Sequence, residues 1–292
     1  LNNYKAGFRH FQQWARAERI AWDGSTAVSE RILCAYAASM SGVYAAGGAS
    51  SKLAGLHFWH DQRGFTWQGS ERLRRILKSV GLAAPPSARK EQRPPVTEAM
   101  LDEALNRLDT RRPFDVCVAT AALVIFWGQL RLGEALSSTR TYDFASLPTG
   151  KCVKLRADAG GRLDQMTTAI WLPRTKTERA GVWIWLARHY NDPSYALQHH
   201  LDVNGISRDD PLFAYKHDTT GALVPLTRNA FLSRLNEIWR AAGMQTVTGH
   251  CFRIGGTTAL LRAKVDPEVV KVAGRWKSDS FLRYWRTLDT II

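Results

Sequence analysis

Cysteine is scarce in this sequence, with four in 292 residues. Cys34, Cys117, Cys152 and Cys251 lie far apart and form no CxxC pair. Such scatter excludes a thiolate zinc site and a disulfide scaffold, and it fits a reducing interior. Long apolar runs are missing too; no stretch approaches the ~20 residues that cross a bilayer. The opening residues LNNYKAGF resemble no secretory leader and, without an initiating Met, read as a trimmed start. No carboxylate cluster suited to a pair of divalent ions is present. His199 and His200 are adjacent, so on a helix they point apart and make no metal site. Acidic residues are in deficit, 26 Asp and Glu against 40 Lys and Arg, a formal net charge of +14. A chain this basic meets a polyanion, either nucleic acid or an anionic membrane surface. No long helix sets a strongly apolar face, beyond what the core needs, against Lys and Arg, so a membrane is not expected.

What is present divides the chain. Residues 84–96 hold two Pro-Pro pairs around a charged, small-residue run, the composition of an extended, exposed connector. It separates a helical domain over residues 1–83 from a second domain over residues 97–292. The first 93 residues carry 14 Lys and Arg against 6 Asp and Glu, so the basic excess is concentrated there. Within them, Leu73, Ile76, Leu77 and Val80 follow the spacing of a buried helical stripe. Ser70 caps that helix and Gly81 ends it. Arg72, Arg74, Arg75 and Lys78 fill its other face, which reads either as ordinary solvated surface or as a surface that tracks phosphates.

After the connector, Thr97 opens a helix to Leu108, and PFDVCVATAALVIFWGQL gives a nearly all-apolar core helix. KCVKLR, TTAIWLP and GVWIWLA are short, β-branched or aromatic and broken by Gly or Pro, the marks of a small antiparallel sheet. Helices return from Pro225. The fold class is therefore mainly α, an α+β arrangement in which a helical domain carries a small inserted sheet.

Four polar segments of the second domain carry reactive residues. GQLRLGEAL holds Arg131 and, at helical spacing, Glu134. PRTKTERAG sets Lys176 in a turn between two strands, flanked by Arg174 and Arg179. GHCFRIGG joins His250 and Arg253 at a helix start, where backbone N–H groups favour an anion and Gly255 and Gly256 would let the backbone approach it. GRWKSDSFLRYWR holds Trp276 and Tyr284. Each has a plain explanation alone: a dipole partner, a solvated lysine, aromatic core. Together, two arginines can clamp a phosphodiester, a Lys and a His can move protons, and a Tyr can act as nucleophile. That set suits metal-free cleavage of a phosphodiester.

The order Arg, Lys, His-x-x-Arg, Trp, Tyr resembles the tyrosine recombinase (phage integrase) family over nearly the whole chain. GHCFRIGGTTALL, DPEVVKVAGRW and SFLRYWR are further similar to the Crypton-type recombinases of eukaryotes. The resemblance implies an N-terminal core-binding domain that clamps DNA and a catalytic domain from about residue 96. It implies that Arg131, Lys176, His250, Arg253 and Trp276 surround the scissile phosphate, with Tyr284 as nucleophile and Glu134 as a buttress to the first arginine. Trp276 departs from the His that many members carry; its indole can donate a hydrogen bond but cannot shuttle a proton. Strand exchange through a 3′-phosphotyrosyl ester needs no cofactor, and the partner implied is double-stranded DNA, two sites of it held by a homotetramer. A eukaryotic member would work in the nucleus, a bacterial one in the nucleoid. Two other readings stay open: DNA relaxation of the type IB topoisomerase kind, and a retired enzyme that only binds DNA.

Overall fold

Caps and apolar periodicity set the helices of the first unit. A computed structural model describes residues 2–88, 93–157, 167–176, 178–186 and 189–284; for Asn2, Asn3, Arg156, Ala157, Thr167, Ser280, Arg283 and Tyr284 it describes the backbone alone. The chain divides into two compact units, Leu1–Gln92 and Arg93–Ile292. The first holds α1 (Asn2–Ala17), α2 (Glu30–Ala38), α3 (Ala46–Arg63) and α4 (Glu71–Leu82). The Ser70 hydroxyl accepts the Arg72 N–H at 3.1 Å, so α4 starts at its expected cap. Leu73 and Val80 are buried, and Ile76 and Leu77 pack half-buried against the same core of Phe11, Leu33, Tyr36 and Leu56. Gly81 does not end α4. It lies inside the helix, where a Cβ would come within 2.8 Å of the Ala46 methyl, so it is there for close packing on α3. A second glycine contact joins α1 to α3: a Cβ on Gly7 would stand 2.8 Å from the Lys52 carbonyl, and one on Gly55 2.5 Å from that of Tyr4.

In the second unit the Thr97 hydroxyl accepts the Met100 N–H at 3.2 Å and opens α5 (Glu98–Arg107). Pro113 then sits at the first position of α6 (Pro113–Trp127), where a missing N–H costs nothing. Nearly every residue of α6 is buried, so this helix is the axis of the core. It leads into a short α7 (Leu132–Ala135). The three expected strands form one antiparallel sheet, β1 (Val153–Ala157), β2 (Thr167–Leu172) and β3 (Val182–Leu186), in that order. Alternation places Ile170, Leu172, Ile184 and Leu186 against the core.

Helices resume earlier than the sequence suggests. Asp192 caps α8 (Pro193–Asn204), and a hairpin of β4 (Ala214–Lys216) and β5 (Leu223–Pro225) follows. At three residues a strand, that hairpin is too short to show an alternating pattern. The unit closes with α9 (Arg228–Ala241), α10 (His250–Arg262), α11 (Pro267–Ala273) and a 3-10 helix, Asp279–Tyr284. The Trp239 indole donates to the Met100 carbonyl at 2.7 Å and ties α9 to α5. Phe281 is buried with Leu261 and Val270, which fastens the 3-10 helix to α10 and α11. No helix among the described residues is long and apolar enough to cross a membrane.

Candidate active site

The end of α6 organises the site. Its C-terminal carbonyls need donors, and Gln129 turns the chain through a left-handed conformation, φ 49°. That turn leaves the Gln129 carbonyl inside the protein, where the Arg253 Nη1 donates to it at 2.6 Å. The Arg253 Nη2 donates to the Gly274 carbonyl at 2.5 Å. Arg253 is fully buried on α10, and its guanidinium lies 4.0 Å from the centroid of the Trp276 ring. Cation–π contact and two carbonyls hold a charge that burial alone would penalise. The Gln129 side chain completes the joint: its Oε1 accepts from the Thr257 hydroxyl at 2.7 Å.

Arg131 follows at the start of α7. Its Nη1 donates to Glu134 Oε1 at 2.7 Å, while its backbone N–H donates to Glu134 Oε2 at 3.0 Å. The Arg131 side chain keeps a quarter of its surface in solvent, whereas that of Glu134 is almost fully buried. Burial raises the Glu134 pKa, but the Arg275 charge and the hydrogen bonds and charge of Arg131 outweigh it and leave the carboxyl below its ordinary range. As a plain reading of the sequence, Arg131 would serve the dipole of the preceding helix. Instead Arg275 donates to the Gly128 and Gln129 carbonyls, each at 3.3 Å, and Arg131 faces Glu134.

His250 opens α10, half-buried. Its pKa is lowered first by burial, then by the positive charges of Arg253, Arg93, Arg131 and Lys176, so the ring is neutral at neutral pH. The positive charges that act on this imidazole would favour an anion beside it. Lys176 is exposed in the turn between β2 and β3, with Arg174 and Arg179 exposed beside it. That turn is closed by the Thr175 N–H donating to the Glu178 carbonyl at 2.8 Å and the Glu178 N–H donating to the Thr175 hydroxyl at 3.0 Å. Tyr284 ends the 3-10 helix that Phe281 fastens down; its side chain lies outside the described residues.

The structure thus brings Arg131, Glu134, Lys176, His250, Arg253 and Trp276 into one region. Arg72, Arg74, Arg75 and Lys78 lie elsewhere, on the exposed face of α4 in the other unit; there Glu71 pairs with Arg74 and, at 3.8 Å, with Arg75. Gly255 and Gly256 do not open the helix start to a ligand. A Cβ at either would collide with the Val96 or the Phe126 carbonyl, so they let α10 press against α6 and the segment that leads into α5. Three residues escape the sequence reading. Gln129 and Arg275 both take left-handed φ without being glycine, which no local pattern announces, and Arg93 sits among connector prolines. Among the described residues no group of three His, Cys, Asp or Glu could hold a metal ion.

No protein-family model matches the chain, and no curated protein does. Among solved structures, its fold is that of site-specific DNA recombinases. The recombinase XerH, in a post-cleavage complex with palindromic difH substrate, is 15% identical with a TM-score of 0.64; the match covers 97% of this chain and 75% of that one. The Tn1549 transposon integrase, in complex with transposon right end DNA, is 14% identical with a TM-score of 0.55, over 97% of this chain and 89% of that one. At such identities the likeness establishes the fold.

Proposed function

We propose that this protein is a tyrosine recombinase, a DNA strand transferase that cleaves and rejoins strands through a 3′-phosphotyrosyl ester. The observation that carries the reading is the convergence of Arg131, Lys176, His250, Arg253 and Trp276 on a fold shared with recombinases captured on DNA. In the reaction the Tyr284 oxygen attacks phosphorus and the bond to the 5′-oxygen breaks. The neutral His250 ring takes up the tyrosine proton, and Lys176 gives one to the departing oxygen. Arg131 and Arg253 offset the charge that grows on the non-bridging oxygens. A 5′-hydroxyl from a second strand then reverses the step. The ester conserves the bond energy, so the chemistry requires neither metal nor nucleotide.

Strand exchange further requires two sites held together, which a homotetramer would do. A pool of nicked random-sequence duplexes tests the chemistry, because the nick lets the 5′-hydroxyl fragment diffuse away and traps the adduct. The protein should form a denaturant-resistant adduct, and Tyr284→Phe should form none while keeping its DNA affinity. Adducts from the Phe variant would assign the nucleophile elsewhere. With the trapped sequence in hand, plasmids bearing one or two copies separate the alternatives. Recombination that needs two sites supports the recombinase; relaxation of a one-site plasmid without recombination supports a topoisomerase.

A further inference from the structure

Arg275 is the most buried cation of the site after Arg253, and the proposed chemistry gives it no task. Its side chain is 10% exposed, against 26% for Arg131. Its two terminal nitrogens are committed, and the buried Nε alone has no partner among the described residues: Nη2 donates to Glu134 Oε2 at 3.0 Å and to the Gln129 carbonyl at 3.3 Å, Nη1 to the Gly128 carbonyl at 3.3 Å and the Ala273 carbonyl at 3.1 Å. The charge of Arg275 is already matched by the buried Glu134 carboxylate, whereas Arg253 meets neutral carbonyls and a ring face, so Arg275 has the less to offer a phosphate.

Its backbone points to the same conclusion. Arg275 adopts φ 57°, a conformation that a residue with a Cβ takes at some cost. The turn is fixed by the Arg275 N–H donating to the Val272 carbonyl at 2.9 Å and the Trp276 N–H donating to that of Lys271 at 3.0 Å. One turn thereby sends consecutive side chains to two different arginines, Trp276 to the face of Arg253 and Arg275 to the carboxylate that holds Arg131.

We propose that Arg275 is a positioning residue. It fixes Glu134, and through Glu134 it fixes the orientation in which Arg131 meets the phosphate. The consequence for rate rests on the recombinase reading above; the fixing of Glu134 does not. Glu134 Oε2 receives both the Arg131 N–H and Arg275, while Oε1 receives the Arg131 guanidinium. Without Arg275 one lobe of a buried carboxylate loses its charged partner, and the carboxylate can turn, taking Arg131 with it.

Two measurements on Arg275→Met and Arg275→Lys decide the matter. In the DNA-free protein, hydrogen exchange should quicken at residues 131–136 in Arg275→Met while the amides of α9 keep their protection. Uniform quickening, or none, overturns the proposal. On the trapping duplex at saturating DNA, Arg275→Met should form adduct on the order of 10²-fold more slowly with its Kd little changed, and Arg275→Lys should recover part of the rate. The double variant Arg131→Ala/Arg275→Met should be no slower than Arg131→Ala alone, since one residue acts through the other. Losses that multiply would give Arg275 an independent role and sink the idea. Should Arg275→Met fail to fold, Arg275→Lys carries both measurements. Should the unmodified protein form no adduct on any duplex, the functional reading falls, and exchange at 131–136 alone decides whether Arg275 holds Glu134.

Discussion

Lys176 carries its charge on a turn that Thr175 and Glu178 close by mutual hydrogen bonds, so the lysine is presented on a defined platform. As the proposed general acid it has a specific signature. Lys176→Ala should slow cleavage by ~10²–10⁴-fold, the range for loss of a positioned proton donor. A substrate with sulfur in place of the bridging 5′-oxygen should restore the rate, because a thiolate departs without protonation. Absence of sulfur rescue would reduce Lys176 to a phosphate anchor. At this scale the sequence was legible where chemistry sits in a short motif: His250 and Arg253 share one helical turn, and Arg131 and Glu134 another. Arg275 was not legible, because its partner lies 141 residues away and its left-handed backbone belongs to a position that glycine usually fills.

Among the elements, α6 and α10 show what the site demands of packing. Gly256 stands where a side chain would strike the Phe126 carbonyl, and that carbonyl belongs to the helix whose end holds both buried arginines. Gly256→Ala should therefore destabilise the second unit by about 1–3 kcal/mol or more, read from its urea midpoint, and should cost cleavage activity even under folding conditions. An unchanged midpoint would mean that the two helices part freely. The glycine pair was visible in the sequence, but its purpose was not, since a residue that admits a phosphate and one that admits a carbonyl look alike in one dimension. The α4 helix was legible nearly to the residue, because cap, stripe and length agreed. Its exposed cations yield a different expectation. Arg74 and Arg75 share Glu71, so Arg72 and Lys78 are the better probes. Neutralising both should flatten the salt dependence of DNA binding by roughly one unit of slope per lost phosphate contact. A slope that does not move would make the face plain solvated surface.

For the molecule as a whole, acid should be a selective stress. His200 is fully buried; its Nε2 donates to the Leu212 carbonyl at 2.9 Å, and its Nδ1 accepts from the Asn204 amide at 3.0 Å. Asn204 cannot turn to suit a second imidazole proton, because its oxygen accepts the Lys216 N–H at 2.9 Å. Burial, helped by His199, brings the His200 pKa down to about 4. The unfolded chain binds this proton near 6.5 and the folded chain does not, so stability is complete above that value and drains away as pH falls towards 4. The full loss is roughly 3 kcal/mol at 1.36 kcal/mol per unit. His200→Gln should lose correspondingly less stability between pH 7 and pH 4, and parallel losses in the two proteins would refute the assignment. The wiring of this histidine depends on contacts that only the folded chain brings together, so the sequence alone did not show it.

The bond from Arg253 to the Gln129 carbonyl also says something about time. It spans 124 residues. At roughly 5–20 residues per second, a ribosome needs on the order of 6–25 s to travel from one partner to the other. Until then the growing chain possesses Arg131 without its counterpart, and it gains the Glu134 partner Arg275 later still. A half-made copy lacks the joint that Arg253 makes with the end of α6. The joint therefore closes only after α6 and the three-stranded sheet have been made.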